Sequence, residues 1–103
     1  MLVVAGSFEV DPARRDEFVA SRKEAMAISR GEKGCHEYVF APDPLEAGRV
    51  VLYERWESAE DLAAHLGAMR ARREAGGEAP PEVPVIRSEV LQYNIDGSGP
   101  VGG

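Results

Sequence analysis

Residues 34–66 read GCHEYVFAPDPLEAGRVVLYERWESAEDLAAHL, and the order of elements inside this stretch decides the fold. Residues 35–41 carry the β-branched and aromatic content of a strand. Residues 42–48, PDPLEAG, hold too much proline for a strand and make the connecting turn. Residues 49–56 read as the next strand. Val50, Val51, Leu52 and Tyr53 put apolar bulk on both of its faces, so it belongs in the sheet interior. Ser58-Ala59-Glu60-Asp61 then has the form of a capped helix start. The Ser58 hydroxyl can accept from the Asp61 N–H, and the acidic side chains sit at the positive helix end. Leu62, Leu66 and Met69 supply an apolar stripe for this helix, with His65 bordering it.

Outward from this segment the pattern repeats. Residues 2–10 alternate as a strand, with both the even set (Leu2, Val4, Gly6, Phe8, Val10) and the odd set (Val3, Ala5, Ser7, Glu9) largely apolar. Asp11-Pro12 starts a helix, because Asp11 can accept from first-turn N–H groups and Pro12 suits a position that needs no donor. Phe18, Val19, Ala25, Met26 and Ile28 recur near helical spacing, and glycines at 31 and 34 end the helix. Residues 74–84, EAGGEAPPEVP, read as a loop, and residues 85–95 as a fourth strand. Residues 96–103, DGSGPVGG, are expected to be a flexible tail with nothing to bury, which leaves one domain over 1–95.

The order is βαββαβ. Two right-handed crossovers give an α+β, ferredoxin-like fold: a four-stranded antiparallel sheet with both helices on one face. Two helices cover only one face, yet strands one and three are apolar on both. A second copy of the same surface is the expected cover, in a homodimer burying on the order of 1,500 Å² or more.

Composition narrows the function classes. A chain of 103 residues is one domain. With 18 acidic against 12 basic residues, the net charge of −6 repels phosphate backbones and anionic membrane surfaces, so neither nucleic acid nor membrane is an expected partner. No apolar run approaches the roughly 18 residues of a membrane span. The start, MLVVAGSFEV, lacks a basic n-region and points, with the single cysteine, to the cytoplasm. Cys35 reads as a small apolar strand residue. His36 and His65 are the only imidazoles and show no metal-ligand spacing. Gly6 lacks a following G-x-x-G, so no metal, flavin or other cofactor is expected.

The candidate site residues lie within the opening stretch, and each has two readings. His65 is either a general base or a core-edge histidine bonded to a backbone carbonyl. Trp56 either stacks on an aromatic ligand or plugs the strand-to-helix junction. Glu54 shares a strand face with Trp56, and a carboxylate among apolar groups wants a partner, with Arg87 or Arg55 available. His36, Tyr38 and Phe40 fall on one face of their strand, as a ligand wall or as part of the dimer interface.

The residues GC-x-E-Y-x-F, D-P, G-R-V-V, L-Y-E-R-W-E-S and A-H-L together resemble the antibiotic biosynthesis monooxygenase family of the dimeric α/β-barrel superfamily. The resemblance implies two ferredoxin-like protomers stacked sheet on sheet. It also implies oxidation of a small phenolic, quinol or anthrone-type substrate to a quinone by O₂ without metal or flavin. On that reading His65 is catalytic, and Trp56, Glu54, Tyr38 and His36 bind substrate. The alternative is a non-catalytic homodimer that binds a small hydrophobic metabolite. Haem-degrading relatives carry a Trp on the second helix and a His further along it. Here His65 stands at the Trp position and no His follows, so the resemblance does not extend to haem degradation.

Overall fold

The computed structural model describes residues 1–76 and 83–102. Its strands are β1 (Leu2–Glu9), β2 (Cys35–Pro42), β3 (Arg49–Trp56) and β4 (Arg87–Asn94), and its α-helices are α1 (Arg15–Ser21), α2 (Lys23–Arg30) and α3 (Ala59–Glu74). The sheet is antiparallel throughout, in the order β2-β3-β1-β4. This is the expected ferredoxin-like arrangement. The loop expected over 74–84 falls partly outside the described residues, and the fourth strand begins at Arg87 rather than at residue 85.

The first helical layer is broken where one helix was expected. A short 3₁₀ turn, Pro12–Arg14, precedes α1, with the Asp11 carboxylate accepting from the Ala13 N–H at 3.0 Å. The break comes at Arg22, after Ser21. The Ser21 hydroxyl donates to the Phe18 carbonyl at 2.6 Å, and serine side chains that bond back to the preceding turn bend helices.

Register fixes what each face carries. Leu2 lies opposite Trp56, Val4 opposite Glu54, Gly6 opposite Leu52 and Phe8 opposite Val50. The even residues of β3 are buried under the helices, with Phe18, Tyr38, Phe40 and Leu62 in the same core. The odd residues form the other face, where Leu91 and Tyr93 of β4 remain about half exposed (51% and 50%). Gly6 permits close pairing of β1 with β4, since an added Cβ would fall 1.9 Å from the Glu89 carbonyl oxygen.

Two local expectations are corrected. The stripe of α3 is not Leu62, Leu66 and Met69. Leu62 and His65 are the buried positions, and Leu66 is 51% exposed. The helix rolls far enough to put the imidazole, rather than the leucine, against the sheet. On β2, the pairing to β3 skips between Cys35 and Glu37, a bulge at His36. Because a bulge inserts one residue, it resets the alternation. His36 therefore leaves the face of Tyr38 and Phe40, and those two pack under the helices rather than on the open sheet face expected of an interface.

Candidate functional site

At the Leu2–Trp56 end of the sheet, five polar or aromatic side chains converge beneath the helices. The start of α3 sets one of them. Ser58, with extended backbone, accepts from the Asp61 N–H at 3.1 Å, and Glu60 and Asp61 occupy the first turn. The helix entry is packed tightly against Gly34, whose φ of +81° only glycine adopts readily and whose added Cβ would lie 2.2 Å from the Asp61 carboxylate. From this start, His65 points inward. Its side chain is 1% exposed, and its Nδ1 lies 2.5 Å from Oε1 of Glu32.

Two rings wall the imidazole. Trp56, at the end of β3 and fully buried, has its ring centroid 4.6 Å away at an interplanar angle of 36°. Tyr38 of β2 meets it edge-on at 5.4 Å and 62°. The Trp56 indole N–H donates to Glu54 Oε1 at 2.9 Å. Glu54 thus finds its partner in Trp56 and not in Arg87 or Arg55: Arg87 pairs with Glu9 instead. Register explains this correction, since Glu54 points to the helix face while Arg55 and Arg87 belong to the other.

Electrostatics follow burial. Loss of solvent pushes the Glu54 carboxyl above its ordinary value, with the Trp56 hydrogen bond and the His65 charge pulling it back. Burial pushes the Tyr38 phenol up to about 12, helped by the charge on Glu54, while the neighbouring Ser29 hydroxyl and the Arg22 guanidinium oppose the shift. Ser29 Oγ itself is buried with no partner at full hydrogen-bonding geometry, so its hold on the phenol is weak. Tyr38 therefore stays a neutral phenol at any ordinary pH.

His65, Trp56, Glu54 and Tyr38 are brought together; His36 is not. The bulge leaves His36 on the surface, its Nε2 2.6 Å from Oε2 of Glu57. The residue that sequence reasoning missed is Glu32. It sits in the turn between α2 and β2, 33 positions before His65, with glycines at 31 and 34 around it. A charged residue in a Gly-rich turn reads as solvated, and nothing in its spacing links it to a helix that far along the chain.

The arrangement can hold and move a proton. A carboxylate at Nδ1 orients the ring and steadies an imidazolium, while Nε2 is the nitrogen left for a proton from elsewhere. Among the described residues no three His, Cys, Asp or Glu side chains gather as a metal-ligand set, and no helix is long and apolar enough to cross a membrane. A shallow groove of about 480 Å³ lies at the opposite, Glu9–Arg87 end of the sheet, and none of the five clustered residues lines it.

Comparison with known proteins agrees with this architecture. The sequence model of the antibiotic biosynthesis monooxygenase family matches residues 1–73. An uncharacterized Synechocystis protein is 34% identical over 65 residues, 63% of this chain; the match spans 44% of that longer protein. A candidate antibiotic biosynthesis monooxygenase from Deinococcus radiodurans superposes with a TM-score of 0.74 at 16% identity, covering 100% of both chains. A Mycobacterium tuberculosis structure superposes at 0.64 with 26% identity, covering 95% of this chain and 98% of its own. With a family model matched over most of its length and the same fold in these structures, the chain belongs to the antibiotic biosynthesis monooxygenase family.

Proposed function

We propose that this protein is a cofactor-independent monooxygenase that oxidises a small phenolic, quinol or anthrone-type substrate to a quinone with O₂. The observation that carries the reading is the buried imidazole whose Nδ1 is held by a carboxylate and whose flanks are aromatic. In the proposed reaction Nε2 of His65 takes a proton from the substrate. The resulting anion passes one electron to O₂, and substrate radical and superoxide combine. The imidazolium returns its proton to the peroxide, and loss of water leaves the new carbonyl. One oxygen atom enters the substrate and the other leaves as water. Trp56 and Tyr38 orient the aromatic ring, and the water-poor setting favours electron transfer from a poorly solvated anion. A substrate reaches Nε2 only when the wall around the ring opens, because His65 is closed over in this structure. Oxygen uptake with a panel of quinols and anthrones tests the reading, comparing wild type with His65→Ala.

The same closure favours a second reading, a non-catalytic homodimer that binds a small hydrophobic metabolite and uses His65 as a core hydrogen-bonding residue. No oxygen uptake by the wild type across that panel, with a hydrophobic probe still bound, would select it. Both readings include a dimer through the open sheet face, where the half-exposed Leu91 and Tyr93 lie beside Val3, Ala5 and Tyr53. Light scattering at micromolar concentration checks this, and a particle of only 11.2 kDa would sink it.

A further inference from the structure

We propose that Glu32 is the positioning residue of the site: its carboxylate accepts the Nδ1–H of His65 and holds the buried ring in the tautomer whose Nε2 is basic. Three observations carry this. The N–O separation of 2.5 Å puts the carboxylate in direct hydrogen-bonding contact with Nδ1, and the imidazole is 1% exposed, so water does not compete for that nitrogen. The Glu32 backbone is held on both sides, its N–H donating to Ser29 O at 3.0 Å and its carbonyl accepting from the Cys35 N–H at 3.2 Å. The other carboxylate near the ring, Glu54, has Oε1 committed to the Trp56 indole and is left without a role at Nδ1.

The groups around His65 come from three elements. Glu32 approaches from the α2–β2 turn, Tyr38 from β2, and Glu54 with Trp56 from β3. Arg72, two turns further along α3, stands 3.9 Å from the second oxygen of Glu32. A neutral imidazole in water prefers its proton on Nε2, so a ring kept with the proton on Nδ1 needs an acceptor at that nitrogen. Glu32 is the acceptor this fold supplies. The catalytic meaning of the tautomer rests on the function proposed above; the tautomer itself does not.

The test is nitrogen NMR on the full chain with labelled histidine, at alkaline pH where the ring is neutral. The sequence holds 2 histidines, so a His36→Gln variant leaves His65 as the one imidazole observed. The expected spectrum has Nδ1 protonated and Nε2 bare. A ring protonated on Nε2 overturns the proposal with no change made at Glu32. Glu32→Gln keeps an acceptor of the same shape and retains the Nδ1–H form. Glu32→Ala removes it and moves the proton to Nε2; an unchanged tautomer in that variant also overturns the proposal. In quinol turnover Glu32→Ala lowers kcat roughly tenfold or more at nearly constant KM, because a mis-set tautomer damages proton transfer and not binding, and Glu32→Gln recovers part of it. If the wild type shows no turnover, the proposed function fails, and if His65→Ala turns over like wild type, His65 leaves the mechanism; in both cases the NMR result still decides whether Glu32 sets the tautomer.

Discussion

Among the described residues two histidine–glutamate pairs have nearly the same geometry and opposite surroundings. His65 meets Glu32 at 2.5 Å with side chains 1% and 20% exposed, and His36 meets Glu57 at 2.6 Å with side chains 38% and 59% exposed. Distance alone would rank them equal. Surroundings separate them. Around His36 water solvates both side chains and competes for their hydrogen bond, and such exposed pairs contribute about 0–1 kcal/mol. Around His65 the partners are Trp56, Tyr38 and a second carboxylate, so the hydrogen bond decides where a proton sits and no solvent replaces it. The one-residue bulge at His36 is what sends one imidazole outward, while the roll of α3 sends the other inward.

The largest difference should appear in turnover. His65→Ala lowers quinol oxidation by roughly 10²-fold or more, the scale of a lost general base, while His36→Ala leaves it within about twofold. Oxygen-electrode rates for the two variants check this. Equal effects would erase the functional half of the comparison.

Stability should divide the pairs less sharply. Glu32→Ala strands the buried Nδ1 and costs about 1–3 kcal/mol, while Glu57→Ala costs about 0–1 kcal/mol, a loss that added salt reduces further. Urea unfolding at low and high ionic strength measures both. A Glu57 variant as damaged as the Glu32 variant would show that burial is not what distinguishes them.

The smallest effect concerns the second carboxylate. Burial holds the Glu54 carboxyl above its ordinary 4.5, so the folded protein binds that proton more tightly than the unfolded chain does. Below pH 4.5 both states are protonated and the site costs nothing; as pH rises, ionisation is disfavoured in the folded state and stability falls. Glu54→Gln keeps an oxygen for the Trp56 indole and removes the charge. It should raise stability over wild type at neutral pH, with the gain shrinking as pH drops through the ordinary carboxyl range. Thermal unfolding across that range decides it, and a gain that grows toward acid would reverse the sign argued here.

Element order was legible from one stretch because its signals are local. Ser58 caps α3 through Asp61 as its spacing implies, the proline-rich run turns β2 into β3, and the alternation of β3 survives residue for residue. The family resemblance put Trp56, Glu54, Tyr38 and His65 in one site, but it put His36 there too, and local pattern alone paired Glu54 with an arginine and left Tyr38 between a ligand wall and an interface. The break after Ser21 was harder to see, because a serine bonding back to its own turn leaves the helical periodicity intact.

What the sequence by itself determined was the βαββαβ order, the apolar character of both sheet faces and, on β3, the face shared by Leu52, Glu54 and Trp56, all set by interactions within a few positions along the chain. Only the tertiary structure decided which histidine is buried, that Leu66 faces outward while His65 faces inward, that Glu54 answers to Trp56, and that Glu32 reaches Nδ1 across 33 positions. The physical reason is common to these outcomes. A bulge, a helix roll and a turn-to-helix hydrogen bond are each settled by packing between elements, and packing shifts of a single residue leave almost no trace in local pattern while reversing which side chains meet water.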